Sequence, residues 1–416
     1  MKQRLTARQS IILASTLFGM FFGAGNLVFP VSMGQQAGAN FFPAALGFCL
    51  TGVGIPLLGI AAMGISRSEG LFDMCLRVGK PYAYFFTLLL YLSIGPLFAI
   101  PRTATVSFSV GVTPMIGQAP LALCVVSALF FAVVLFFSLR PSGIMTWIGK
   151  LLNPLFLLFL AVLAVTALTK PMGPVSSAVP TGKYVNASFF QGFLEGYNTL
   201  DAVASLVFGI ILVNSVRSFG IEDPKAISAN TLLSGLLSTA LMAAIYFALT
   251  VMGAQSQSAI SVSADGGAAL YAIGTHYFGQ LGGLLLGVIV TLACLKTAIG
   301  LITSCSTAFV EIFPGRLSYR AYAIAFCLFS FGIANFGLSR IIALSLPVLM
   351  FLYPLTITLI LLCLFGHLFD YDKRVFTCVT AFTFVPAAFD FLNVPTNNTN
   401  SYHFLFLLYL LLILAS

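Results

Sequence analysis

Gly23-Ala24-Gly25-Asn26-Leu27-Val28-Phe29-Pro30 is the stretch that decides how this chain is read. It lies in the first apolar run, which is otherwise greasy enough to cross a membrane. Small residues beside an Asn and a Pro are poor material for an unbroken helix. In lipid, any backbone group freed by a break must face protein, an ion or a polar cavity. A second such stretch is Glu195-Gly196-Tyr197-Asn198-Thr199-Leu200-Asp201. Two interrupted spanning helices, about half a chain apart, point to a transporter that holds solute and ion near the bilayer midplane.

Composition agrees. Of 416 residues, 59% are hydrophobic and 7% charged, against about 25% charged in soluble domains. Mean hydropathy is +1.05, which excludes an ordinary soluble enzyme. The first apolar run continues too far for a cleavable signal and ends in Pro30, so it reads as a retained span. The net charge of +8 comes from basic residues at helix ends. That pattern is topology and not a nucleic-acid stripe. The eight Cys have no ligand spacing, and Cys49, Cys124, Cys294 and Cys327 lie in apolar runs as inert buried thiols. His276, His367 and His403 are far apart, and no metal motif is visible.

A span needs about 20 apolar residues. Apolar stretches occur near 10–32, 41–65, 81–112, 120–139, 144–168, 188–214, 227–252, 277–310, 319–336, 340–366, 374–392 and 401–416, which makes twelve. The long stretches 81–112 and 277–310 read as strongly tilted helices. With the N-terminus in the cytoplasm, the inner side receives Lys2, Arg4, Arg8, Arg67, Arg77, Lys80, Arg140, Lys150, Arg217, Lys225, Arg316, Arg320, Lys373 and Arg374. The outer side receives Lys170, Lys183 and Arg340, while Arg102 and Lys296 fall within spans. This bias favours an inside N-terminus and supports the alternation. The segment 253–276 is a long outer connection that either packs as a short helix over the solute path or simply joins spans. The loop 169–187, with Pro171, Gly173 and Pro180, reads as an ordinary connection.

Spans one to five start inside and end outside, and spans six to ten do the reverse. The breaks fall in the first helix of each group. The expected architecture is therefore an all-α membrane protein of twelve helices, a five-plus-five inverted repeat with helices 1 and 6 discontinuous. As a single transporter domain over 1–416, it comprises a first repeat at 9–168, an inverted second repeat at 188–366 and two additional helices at 374–416.

Phe22-Gly23-Ala24-Gly25-Asn26-Leu27-Val28-Phe29-Pro30, Glu195-Gly196-Tyr197-Asn198-Thr199-Leu200-Asp201-Ala202 and Thr303-Ser304-Cys305-Ser306 resemble the bacterial branched-chain amino acid:cation symporters. The resemblance runs from the first span to about the twelfth. It implies the fold of the amino acid–polyamine–organocation superfamily, a place in the bacterial cytoplasmic membrane, and uptake of leucine, isoleucine and valine with sodium. It implies no cofactor beyond the co-transported ion and no obligatory protein partner.

A zwitterionic solute needs donors for its carboxylate and acceptors for its ammonium. Backbone N–H groups of Ala24, Gly25 and Asn26, at the positive end of the following half-helix, are candidate donors. Carbonyls around Tyr197, Asn198 and Thr199 are candidate acceptors. Gly19, Gly23 and Gly25 read alternatively as a packing face, but Asn26 and Pro30 add what packing does not need and favour the solute site. Phe21, Phe22, Leu200 and Phe208 are close enough in sequence to form an apolar wall.

Glu195 and Asp201 are carboxylates within the spans, as is Asp390 near one end. An intramembrane carboxylate is a functional candidate, and two readings stand open. They handle solute or ion, or they tie the broken helix by pairing with Arg102 or Lys296. By the resemblance, a sodium ion would lie among Gly23, Asn26, Thr303 and Ser304. Ser and Thr hydroxyls also commonly bond to their own helix. Lys296, about 10 Å along a helix from Thr303 at 1.5 Å per residue, would repel such an ion unless offset, which keeps a proton-coupled symporter open. Arg102 poses the same question, so Arg102 and Lys296 stand with the two carboxylates as coupling or gating candidates. A channel would need a repeated filter, and none is seen. No nucleotide loop supports an enzyme, and no sizeable cytoplasmic domain supports a sensor.

Overall fold

The polypeptide enters its first helix through a capping box. Gln9 N–H donates to Thr6 Oγ1 at 3.3 Å, and Thr6 N–H donates back to Gln9 Oε1 at 3.0 Å, which satisfies donors a helix start leaves unpaired. Helix α1 (Ala7–Phe21) then stops at Phe22 and Gly23, and α2 (Ala24–Ala37) resumes. The computed structural model describes residues 4–117, 119–140 and 144–393, and it is helical, with no strand among the described residues. Lys2, His403 and the predicted span at 401–416 lie outside them.

The chain continues through α3 (Phe41–Cys49), α4 (Ile55–Ser66), α5 (Leu71–Leu76), α6 (Lys80–Leu92), α7 (Ala99–Gly111), α8 (Thr113–Ile116), α9 (Pro120–Ser138) and α10 (Ile144–Thr169). After short turns come α11 (Ser188–Tyr197), α12 (Asp201–Ser218), α13 (Pro224–Ser256), α14 (Gly266–Ile312), α15 (Tyr319–Ala334), α16 (Leu338–Phe365) and α17 (Lys373–Asn393). Among the described residues, eight helical stretches are long and apolar enough to cross a membrane. Large apolar side chains such as Leu121, Val125 and Leu129 on α9, and Leu281, Leu284 and Val288 on α14, point outward, as a lipid-facing surface requires.

Two stretches read as single tilted helices are interrupted. Between α6 and α7, Gly95 leaves helical geometry at φ −100°, ψ −125°. Pro96 follows it, and a proline disfavours the helical region for the residue before it. In α14 the interruption is Gly279, at φ 65°, ψ −167°, a conformation that favours glycine. The segment read as an outer connection is therefore partly the first section of α14, capped by Asp265, whose Oδ1 accepts from Gly267 N at 2.8 Å and Ala268 N at 2.9 Å.

Glycine brings the helices that carry the breaks close to their neighbours. A Cβ on Gly192 of α11 would stand 2.0 Å from the Ala44 carbonyl oxygen of α3, and one on Gly47 equally close to the Phe189 carbonyl. At the crossing of α2 and α13, Cβ atoms on Gly34 and Gly253 would lie 2.1 and 2.2 Å from the Thr250 and Val31 carbonyl oxygens. Helices without a hydrophobic drive to associate pack by such close backbone approach.

Candidate functional site

Both breaks are shorter than the sequence motifs that announce them. The first is confined to Phe22 and Gly23. Asn26 and Pro30 are already inside α2, because helices in protein-packed membrane surroundings tolerate a proline. The second spans Asn198, Thr199 and Leu200. Leu200 adopts the left-handed region at φ 66°, and Thr199 Oγ1 donates to the Gly196 carbonyl at 2.9 Å while accepting from Asp201 N–H at 3.3 Å. The hydroxyl thus stands in for a helix bond on each side of the break.

The breaks face one another. A Cβ on Gly25 would lie 3.6 Å from the Asn198 carbonyl oxygen, and Asn26 Nδ2 donates to Asp201 Oδ2 at 2.7 Å. Asn26 Nδ2 also approaches Tyr246 Oη, and that hydroxyl donates to the same Asp201 oxygen at 2.7 Å. Asn26 Oδ1 accepts from Gly23 N–H at 3.0 Å, so one amide closes the first break and ties it to the second. Asn26, Asp201 and Tyr246 are each about 2% exposed or less.

Arg102 of α7 supports the second break from the other side. Its guanidinium donates to the Asn198 carbonyl at 2.7 Å and to Ser345 Oγ of α16, it stands 5.4 Å from the centre of the Phe29 ring, and its Nε has no partner. It is 3% exposed, and its charge is within electrostatic reach of Glu195, which also bonds the Asn198 side chain. Tyr197 turns away to stack on Tyr353 at 3.9 Å.

A narrow cavity of about 50 Å³ runs between the breaks, lined on its polar side by Gly23, Gly25, Asn26, Arg102, Asn198, Thr199 and Asp201. Its apolar side includes Phe21, Leu200 and Phe208, as the sequence suggests, together with Ile94 and Leu301. Phe22 points elsewhere, packing on Phe18 and Phe156. The residue of α14 nearest the first break is Thr297, whose side chain is 3.2 Å from where a Gly23 Cβ would be. Thr303 and Ser304 do not line the cavity, and Thr303 Oγ1 donates to its own helix at the Ile299 carbonyl, 2.8 Å away. Lys296 does not line it either. Where α14 begins it packs closely on α2: a Gly266 Cβ would lie 2.0 Å from the Val28 carbonyl oxygen, and Ser109 Oγ donates to Asp265 Oδ1 at 2.9 Å. Among the described residues no three His, Cys, Asp or Glu side chains converge as a metal cluster.

Tyr246, Thr297 and Ser345 were not singled out from the sequence. Each is one hydroxyl in an apolar run, a weak signal that only its partners make meaningful.

The family described as branched-chain amino acid transport protein matches residues 6–412. The chain belongs to that family. It is 51% identical over 394 residues to a branched-chain amino acid permease BrnQ of Lactobacillus delbrueckii subsp. lactis, covering 94% of this chain and 88% of that protein. A BrnQ permease of Bacillus subtilis is 40% identical over the same shares of the two chains. The branched-chain amino acid transport system 2 carrier protein of Pseudomonas aeruginosa is 41% identical over 369 residues, 89% of this chain and 83% of its own. In this member of the branched-chain amino acid transport family, the facing breaks therefore lie in a protein of the transport class.

Proposed function

We propose that this protein imports leucine, isoleucine and valine across the bacterial cytoplasmic membrane, coupled to sodium, by alternating access. The observation that carries the reading is the cavity between the breaks, which sets Arg102 and Asp201 among apolar side chains. The names of the relatives support the substrate class. The free N–H groups of Ala24, Gly25 and Asn26 at the start of α2 receive the carboxylate, aided by the helix dipole. Carbonyls of Tyr197, Asn198 and Thr199, at the end of α11 and in the second break, receive the ammonium. Phe21, Phe208 and Leu301 meet the aliphatic side chain. Such a wall separates neighbouring aliphatic side chains by about 1–3 kcal/mol per methylene, so all three are accepted.

The twelve-span, five-plus-five inverted frame with a cytoplasmic N-terminus belongs to this proposal. In this frame the close contact of Gly266 with Val28 and the Ser109–Asp265 bond lie on the outer side. Inward of Thr297, the α14 positions Gly300, Thr303 and Ser304 are only partly buried, which fits a path toward the cytoplasm. Thr303 and Ser304, with Gly23 and Asn26, remain one candidate seat for the cation. Coupling to protons is the second reading, favoured by Lys296 within α14.

Uptake of labelled leucine into proteoliposomes under an imposed sodium gradient tests the function. Accumulation above equilibrium, competed by isoleucine and valine and not by lysine, is expected. Accumulation indifferent to both sodium and a pH gradient would sink the coupled mechanism. Gly25→Val probes the site itself. Its Cβ would stand 3.0 Å from the Phe29 ring and crowd the Asn198 carbonyl, so leucine affinity should weaken about tenfold or more, or roughly 1.4 kcal/mol. Unchanged affinity by scintillation proximity binding would move the solute away from the breaks.

A further inference from the structure

Asp201 is a buried carboxylate whose hydrogen-bond partners, Tyr246, Asn26 and Thr199, are all neutral. Arg102 has a counter-charge in Glu195. With both carboxylates ionised, the three charged side chains at the breaks sum to one unbalanced negative charge. A zwitterion brings no net charge and cannot balance it. A buried charge without an opposite partner is costly, so an additional positive ion belongs here. Lys296 does not line the cavity between the breaks.

The Asn26 amide shows where the ion fits. Its NH2 lies between Asp201 Oδ2 and Tyr246 Oη, contributed by α12 and α13, while its Oδ1 accepts from Gly23 N–H. A half-turn of the amide directs Oδ1 at those two oxygens. Asn26 Oδ1 and Asp201 Oδ2 are then two acceptors sharing the single Tyr246 proton, and a hard cation among the three oxygens relieves that mismatch, since such cations take oxygen ligands. The same half-turn leaves Gly23 N–H and Asn26 Nδ2 as two donors facing each other, an arrangement that only an acceptor relieves. The solute carboxylate is that acceptor.

We infer that Asp201, Tyr246 and Asn26 hold one sodium ion per amino acid, and that rotation of the Asn26 amide couples the ion to the solute carboxylate. With neither ligand present the amide closes both ends on itself. Each ligand alone leaves one end mismatched. Both together satisfy both ends, which makes binding of one raise affinity for the other.

This assignment rests on the amino-acid reading above, and binding is measured so that the two can fail separately. Leucine affinity of the purified full chain is compared in sodium and in choline, together with sodium-induced thermal stabilisation without leucine. Wild type should gain about tenfold or more in leucine affinity from sodium, within the usual range of coupling. Asp201→Asn should lose both the sodium dependence and the thermal shift. Tyr246→Phe should need about tenfold more sodium. Asn26→Asp should bind sodium more tightly without leucine and leucine more weakly with it. Charge moved per leucine should equal one. Should Asp201→Asn fail to fold, Tyr246→Phe carries the test, and an unchanged sodium requirement in it overturns the assignment. Wild-type sodium dependence in Asp201→Asn overturns it, as does loss of that dependence only in Thr303→Ala or Ser304→Ala. A leucine affinity that follows pH and ignores sodium overturns it in favour of a proton. Absence of leucine binding in wild type under every condition would instead defeat the functional reading.

Discussion

Arg102→Leu will reduce leucine uptake by about tenfold or more. The guanidinium is the only link among the described residues that donates at once to the carbonyl of the second break, Asn198, and to Ser345 on α16. Removing it leaves a buried carbonyl short of its donor and leaves Glu195 without its nearby positive charge. Leaving a buried acceptor without its charged donor costs about 1–3 kcal/mol, and about 1.4 kcal/mol is tenfold. Arg102→Lys should recover only part of the rate. An ammonium on a flexible stem restores charge but not the planar fork that reaches both partners. Initial rates in proteoliposomes at matched protein content decide this. A leucine variant within threefold of wild type would show that α7 does not hold the second break in its working shape.

Gly192→Val will cost the protein about 3 kcal/mol or more of stability, at the upper end of what overpacking does. The α3–α11 crossing is a stack of near-contacts. A Cβ on Gly192 would be 2.0 Å from the Ala44 carbonyl, and one on Gly196 would be 1.9 Å from Thr51 Oγ1, separations that real Cβ atoms do not show. Thr51 Oγ1 also donates to the Phe193 carbonyl at 2.9 Å across the same interface. The helices must part, and α11 carries the second break at its end. Melting in detergent should drop by roughly 5 °C or more. The control is Gly332→Ala on α15, where nothing lies within 4 Å. There the helix gains up to about 1 kcal/mol from the better helix former. Equal melting of the two variants would refute the close-packing argument.

The breaks themselves were legible because their causes are local. Glycine, Asn and Pro in a greasy run, or a Glu and an Asp in another, break helix chemistry within a few residues. Their extents were not legible. Once the surrounding helices pack, Pro30 is accommodated within α2 and the unwound length shrinks to Phe22 and Gly23. Similarly, Gly95 and Gly279 each interrupt stretches that hydropathy alone reads as continuous.

The residues around the breaks divide the same way. Asn26, Arg102 and Asp201 stood out because polar and charged groups are rare in spans. Tyr246 did not, since a tyrosine between Ile245 and Phe247 looks like core. The choice of Thr297 over Thr303 and Ser304 as the neighbour of Gly23 depends on helix phase and on where α14 crosses α2, which spacing cannot supply.

Composition, charge placement and the two motifs alone determined a helical membrane protein with weak points in two spans, because hydropathy and backbone propensity act over short distances along the chain. The tertiary structure alone decided that Asn26 meets Asp201 across 175 residues, that Tyr246 completes the pair and that Arg102 grips the Asn198 carbonyl. Those contacts arise from the crossing of helices at glycine-lined surfaces, and no local rule encodes which polar atoms a crossing brings within hydrogen-bond reach.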